Sequence, residues 1–132
     1  MSKNIRQTLT LPVTPHEVYE ALMKSALHSQ FTRSTARISA KVGGKISAYD
    51  GYIEGKNLEL LSDKKIVQRW RASDWDEEDS SVATFTLQKI KSGTKIIFTQ
   101  TDVPDEHVQE IRQGWKDYYW KPLQKWFSEK TR

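Results

Sequence analysis

Apolar residues alternate with polar ones at Ile5, Leu9 and Leu11, the period of a β-strand with one buried face. Val13-Thr14-Pro15-His16-Glu17-Val18 then carries the marks of a helix start. Thr14 is the N-cap, Pro15 fills the first helical position, Glu17 closes a capping box, and Val13 with Val18 forms a hydrophobic staple. Val18, Leu22 and Met23 extend this helix to about Lys24, and Ala26 to Phe31 adds a further turn or two. Residues 32–42 give no clear signal. From Gly43-Gly44 onward the pattern is one of strands: Lys45 to Tyr49, Tyr52 to Leu61, Lys65 to Ser73, Val82 to Ile90 and Thr94 to Val103. Asp50-Gly51 predicts a hairpin between the first two, because both residues tolerate positive φ, and Lys91-Ser92-Gly93 joins the last two. Ile66, Trp70 and Ala72 share one face, as do Ala83, Phe85 and Leu87, and Ile96 with Phe98. Asp74 to Ser81 reads as an acidic solvated loop with Trp75 tucked back onto the sheet.

The last segment is helical from about Asp105. At about 100° per residue, Val108, Ile111, Trp115, Tyr118, Tyr119, Pro122 and Trp126 fall on one stripe, which must face the sheet. Pro122 cannot donate to the carbonyl of Tyr118, so a bend or loosened turn is expected there. Trp120, Leu123 and Phe127 project well away from this stripe. Either they cover a neighbouring edge of the sheet or they form an exposed apolar patch for a partner. The element order describes an α+β fold in which a curved antiparallel sheet wraps a long C-terminal helix, and an internal cavity between them is expected.

Length and composition narrow the chemistry. The 132 residues suit one domain over 1–132, and the absence of cysteine excludes disulfides, thiolate nucleophiles and iron–sulfur clusters. No apolar run exceeds three residues, so no membrane-spanning helix and no signal peptide are expected, and a cytosolic protein is the simplest reading. The net charge of +4 comes from the first fifty residues, where seven basic residues face three acidic ones. Basic residues are not interleaved there with aromatic ones, so nucleic-acid binding is not expected. His16, His28 and His107 match no metal-ligand spacing and read as surface or capping residues. Phosphate loops and nucleophile elbows are missing from the sequence as well, so neither enzymatic activity nor a metal or cofactor is expected. Six of the fourteen aromatic residues lie within Trp115 to Phe127, and this concentration makes the helix–sheet interface the place to look for function.

Four motifs in order carry a resemblance to a known family: Gly43-Gly44-Lys45, Asp50-Gly51, Ile66-Val67-x-x-Trp70-Arg71-x-x-x-Trp75, and Arg112-Gln113-Gly114-Trp115-x-x-Tyr118-Tyr119. In spacing they resemble the C-terminal domain of the activators of heat-shock protein 90 ATPase. The resemblance implies the helix-grip fold of the START and birch-pollen-allergen superfamily and a heat-shock protein 90-type chaperone as partner. In two-domain members a separate N-terminal domain, with an Asn- and Trp-rich motif, carries much of the ATPase stimulation, and these residues have no counterpart of it. The chain also has Asp76-Glu77-Glu78-Asp79 where the family has a Pro- and Gly-containing loop.

Two functions are therefore expected. The first is a non-enzymatic, co-chaperone-like binding domain, monomeric, with Trp120, Leu123 and Phe127 as partner-binding residues. The second is a carrier or sensor of a small hydrophobic ligand, in a cavity lined by Trp70, Phe85, Phe98, Trp115 and Tyr119.

Overall fold

The computed structural model describes residues 2–130. Strand β1 (Ser2–Leu11) leads into helices α1 (Pro15–Met23) and α2 (Ser25–Thr32), and the capping box forms as the residues dictate. The Glu17 amide donates to Thr14 Oγ1 at 3.2 Å, and the Thr14 amide donates back to Glu17 Oε1 at 3.3 Å. Five long or medium strands follow a two-residue edge strand, β2 (Arg37–Ile38), in the segment that carried no sequence signal. They are β3 (Lys45–Ala48), β4 (Ile53–Leu61), β5 (Lys65–Ala72), β6 (Ser81–Ile90) and β7 (Gly93–Pro104). All pair antiparallel in the order β1-β7-β6-β5-β4-β3-β2, so the first strand closes beside the last.

The β3–β4 turn is built as its sequence requires. Asp50 and Gly51 take φ of 55° and 92°, and the Tyr52 amide donates to the Tyr49 carbonyl at 3.1 Å. Tyr49 just before them is also left-handed, at φ 50°, a conformation that disfavours a bulky residue.

After a 3₁₀ turn (Asp105–His107), the C-terminal helix has three parts: α3 (Val108–Trp115), a π-helical turn (Lys116–Trp120) and α4 (Lys121–Lys130). The π turn explains where the even 100° count fails. The Lys121 amide reaches back five residues to the Lys116 carbonyl, which inserts one extra residue and shifts the phase of everything after it by about 100°. Trp120, Leu123 and Phe127 rotate onto the sheet-facing stripe and are 6%, 0% and 2% exposed. Tyr118 rotates out and is 60% exposed, while Pro122 and Trp126 move to the stripe's edge. Of the two placements open for Trp120, Leu123 and Phe127, the exposed patch is thus overturned. Pro122 supplies the physical reason: it leaves the Tyr118 carbonyl without its helical donor, and the Tyr49 hydroxyl donates to that oxygen instead.

Helix and sheet meet through rings. Phe98 and Trp115 lie 4.3 Å apart by centroid, Phe85 packs on both, and Trp120 stacks on Trp115 at 5.5 Å. The expected central cavity is filled by this cluster. A void of about 20 Å³ remains among Leu22, His28, Ile53, Phe85 and Tyr119, room for about one water.

Candidate functional site

The open space lies to one side of the filled core, where the β3–β4 turn stands off α3. There a cleft of about 420 Å³ is walled by Tyr49 and Tyr52 from the turn, by Ile53 and Trp70 from the sheet, and by the helix. The helix contributes Ile111, Trp115, Tyr118 and Tyr119, with Glu110 and Gly114 between them. The rings are set at steep angles: Tyr49 meets Tyr118 at 72° and Tyr119 at 74°, with centroids 5.7 and 5.9 Å away. Both turn tyrosines are held by their hydroxyls, Tyr49 on the Tyr118 carbonyl and Tyr52 on Asp74 Oδ1 at 3.0 Å. Burial pushes the Tyr49 phenol up to about 12, with Tyr118 adding to the shift. Tyr52 is also raised to about 12, by burial first and then by its bond to Asp74 and the charges of Asp74 and Glu110.

Of the expected lining, Trp70, Trp115 and Tyr119 therefore meet at the cleft. Phe85 faces only the small inner void, and Phe98 is sealed in the core, because the bent sheet brings both against Trp115 rather than leaving space above them. Tyr49, Tyr52, Ile53, Glu110 and Gly114 are the lining residues that periodicity missed. Asp50-Gly51 was the available signal for the tyrosines, since a tight turn exposes its flanks to whatever packs on it.

Polar side chains on the buried face fix the helix. Trp115 Nε1 donates to Gln100 Oε1 at 2.7 Å, Gln100 Nε2 donates to Ser81 Oγ at 2.8 Å, and Ser81 Oγ donates to the Trp70 carbonyl at 2.9 Å. Trp120 Nε1 donates in the same way to Gln7 Oε1 at 2.7 Å, whose Nε2 donates to the Arg112 carbonyl at 3.0 Å. Each glutamine thus ties an indole of the helix to a strand, satisfying groups that would be costly to bury alone.

His28 corrects the expectation of a surface or capping residue, for it is buried between α1 and the C-terminal helix. Its Nδ1 lies 3.1 Å from the Leu22 carbonyl, which can only accept, so Nδ1 carries the proton. Nε2, 3.0 Å from the Tyr119 hydroxyl, then accepts from it. Burial lowers the His28 pKa and raises that of Tyr119. His16 is exposed and pairs with Asp63 and Glu20, while His107 stacks on Trp75. His107, Asp74 and Glu110 have potential ligand atoms within 4.8 Å of one another, as do Asp76, Asp79 and Glu106. Among the described residues these two groups could hold a metal ion, although exposed acidic groups often gather without one.

The outer face of the sheet has a different character. Lys45 pairs with Lys56 across β3–β4, and Lys56 pairs with Arg69 across β4–β5, placing three exposed cations side by side. They line a groove with Arg37, Arg71 and Glu54. Arg71 is engaged, holding the carbonyls of Trp75, Asp76 and Asp79 and an ion pair with Glu54 at 3.5 Å. Like charges directly opposite in a sheet are destabilising, so the row has an unmet electrostatic demand.

Comparison with known proteins places this architecture. A crystal structure of an HSP90 activator from Plasmodium falciparum superposes with a TM-score of 0.82 at 27% identity, covering 88% of this chain and 89% of that one. A Mesorhizobium loti protein reaches 0.83 at 17% identity over 98% and 99% of the two chains, a likeness of fold. Among curated proteins, the human activator of 90 kDa heat shock protein ATPase homolog 1 is 29% identical over 119 residues, 90% of this chain and 35% of that protein. The homologue from Dictyostelium discoideum is 29% identical over 116 residues, 87% of this chain and 30% of that one. The chain thus spans about a third of the length of the curated relatives it matches. No helix among the described residues is long and apolar enough to cross a membrane. The helix-grip sheet, its C-terminal helix with a π turn and a family model matched over residues 12–128 give one answer: the chain belongs to the family of activator of Hsp90 ATPase homolog 1-like proteins.

Proposed function

We propose that the chain is a non-enzymatic, co-chaperone-like module that binds an Hsp90-type chaperone. The family match over residues 12–128 carries this reading. With Trp120, Leu123 and Phe127 committed to the core, docking falls to another surface, and the cation row Lys45, Lys56 and Arg69 is the one whose charge asks for a partner. An acidic chaperone surface would relieve its repulsion and steer association. Isothermal titration and ATPase assays against a purified Hsp90-type chaperone test the idea. Binding should weaken with salt, and weaken further in the K45E/K56E/R69E variant, which lies on an exposed face and should fold normally. No heat and no change in ATPase rate at tens of micromolar would sink it.

The cleft favours a second reading, carriage of a small hydrophobic ligand. Trp70, Trp115 and Tyr119 would form its floor, and a volume of about 420 Å³ falls within the range of small-molecule sites. Mass spectrometry of organic extracts from the purified protein reads this directly.

A further inference from the structure

Three features of the cleft bear on what it would hold. First, its walls are aromatic faces and edges: Tyr49, Tyr52, Trp70, Trp115 and Tyr118 surround the same space. Second, among the described lining residues the only formal charge is negative, the Glu110 carboxylate. Asp74 stands behind it, bonded to Tyr52, and none of the described lining residues is lysine or arginine. A neutral hydrocarbon gains nothing from that carboxylate, whereas a cation is attracted both by it and by the negative faces of the rings. Third, the space is held open at a residue that would be expected to fill it. Gly114 lies inside a helix, where glycine costs about 1 kcal/mol relative to alanine. A Cβ there would meet only the Tyr118 ring, at 3.8 Å, so helix packing does not require glycine at this position.

We propose that the cleft is a binding site for an organic cation, a quaternary or alkylated ammonium group seated among Tyr49, Tyr52, Trp70 and Tyr118 with Glu110 as its counter-charge. This inference rests on the ligand reading of the cleft and narrows it to one chemical class. The Tyr49 and Tyr52 hydroxyls are already engaged, by the Tyr118 carbonyl and by Asp74, so these two rings are positioned before any ligand arrives. His107 shares the Asp74–Glu110 cluster and is the only basic group in it, and its ring is stacked on Trp75.

The test compares choline with 3,3-dimethylbutan-1-ol, its uncharged isostere, by tryptophan fluorescence and by NMR shifts of the Trp70 and Trp115 indole N–H groups. Choline should bind about tenfold more tightly than the alcohol. Glu110→Gln should bring choline down towards the alcohol while leaving the alcohol unchanged. Gly114→Leu should abolish both by filling the cleft, with a dispersed NMR spectrum as the control for folding. Equal affinities for the two probes in the unaltered protein would overturn the cation inference and leave the apolar-ligand reading standing. No shift with either probe at about 10 mM, the regime of the weakest useful fragment affinities, would overturn both.

Discussion

The C-terminal helix has a sealed half and an open half, and similar side chains build both. From the end of the π turn onward, Trp120, Leu123 and Phe127 are buried in the core, with Trp120 edge-on to Phe85 and Phe98, and none of them walls the cleft. Before it, Trp115 and Ile111 are just as buried, yet a cleft of about 420 Å³ opens beside them. Hydrophobicity does not separate the halves. Phase and side-chain size do: one inserted residue turns the second half fully inward, while Gly114 and the standing-off Tyr49–Tyr52 turn leave a gap beside the first. A filled core and an open site can therefore share one helix.

The strongest way to break this contrast is to remove a ring from the sealed half. Trp120→Ala should cost about 3 to 5 kcal/mol in chemical denaturation, as for large aromatic truncations in a core. Tyr118→Ala, on the open half, should change stability by about 0.5 kcal/mol or less, the range for exposed positions. If Trp120→Ala behaved like Tyr118→Ala, the phase shift would be wrong and the second half would not be sealed. The glutamine ties come next. Gln100→Leu strands the buried Trp115 indole N–H and should cost about 1 to 3 kcal/mol. Gln7→Leu strands Trp120 Nε1 at a partly exposed position, where water can substitute, and should cost less. The opposite order would place the more tightly enclosed anchor in the second half.

Much of this was legible beforehand, and the failures share a cause. Alternation located the long strands, and Thr14-Pro15-x-Glu17 located α1, because backbone rules act there without help from distant residues. Asp50-Gly51 gave the β3–β4 turn for the same reason. Pro122 announced an irregularity, but the proline could not say whether the helix would kink, tighten or widen. Only the widened outcome moves Trp120 inward and Tyr118 outward, and the sheet's demand for Trp120, Leu123 and Phe127 selects it. His28 was misread because its partners, Leu22 and Tyr119, are brought together by tertiary packing. The cleft was displaced from the predicted centre because ring volumes at Phe85, Phe98 and Trp115 fill that centre, and volume in three dimensions is not encoded in periodicity.

His28 offers a slope rather than a step. Its folded pKa lies below the ordinary 6.5, so between the two values the unfolded chain binds more protons than the folded one. Its contribution is complete above about pH 6.5 and is lost as pH falls through the folded value. Protonation would force Nε2 to donate, which breaks its acceptance from Tyr119 and disturbs the cleft's floor. Denaturation midpoints measured from about pH 7.5 to pH 5 should fall, and His28→Gln should flatten that part of the curve. A wild-type curve with no decline would place the imidazole in water.

One small effect has the opposite sign. Gly114→Ala should raise stability by about 0.5 to 1 kcal/mol, because alanine restricts the unfolded chain and suits a helix interior. Its methyl group enters the cleft at ordinary contact distance from Tyr118 and displaces no packed atom. A second glycine supplies the contrast, since a Cβ at Gly55 would come within 1.8 Å of the Arg69 carbonyl oxygen. Gly55→Ala should therefore destabilise β4. If Gly114→Ala were destabilising too, the glycine would be serving helix packing, and the open half would owe its space to something other than a missing side chain.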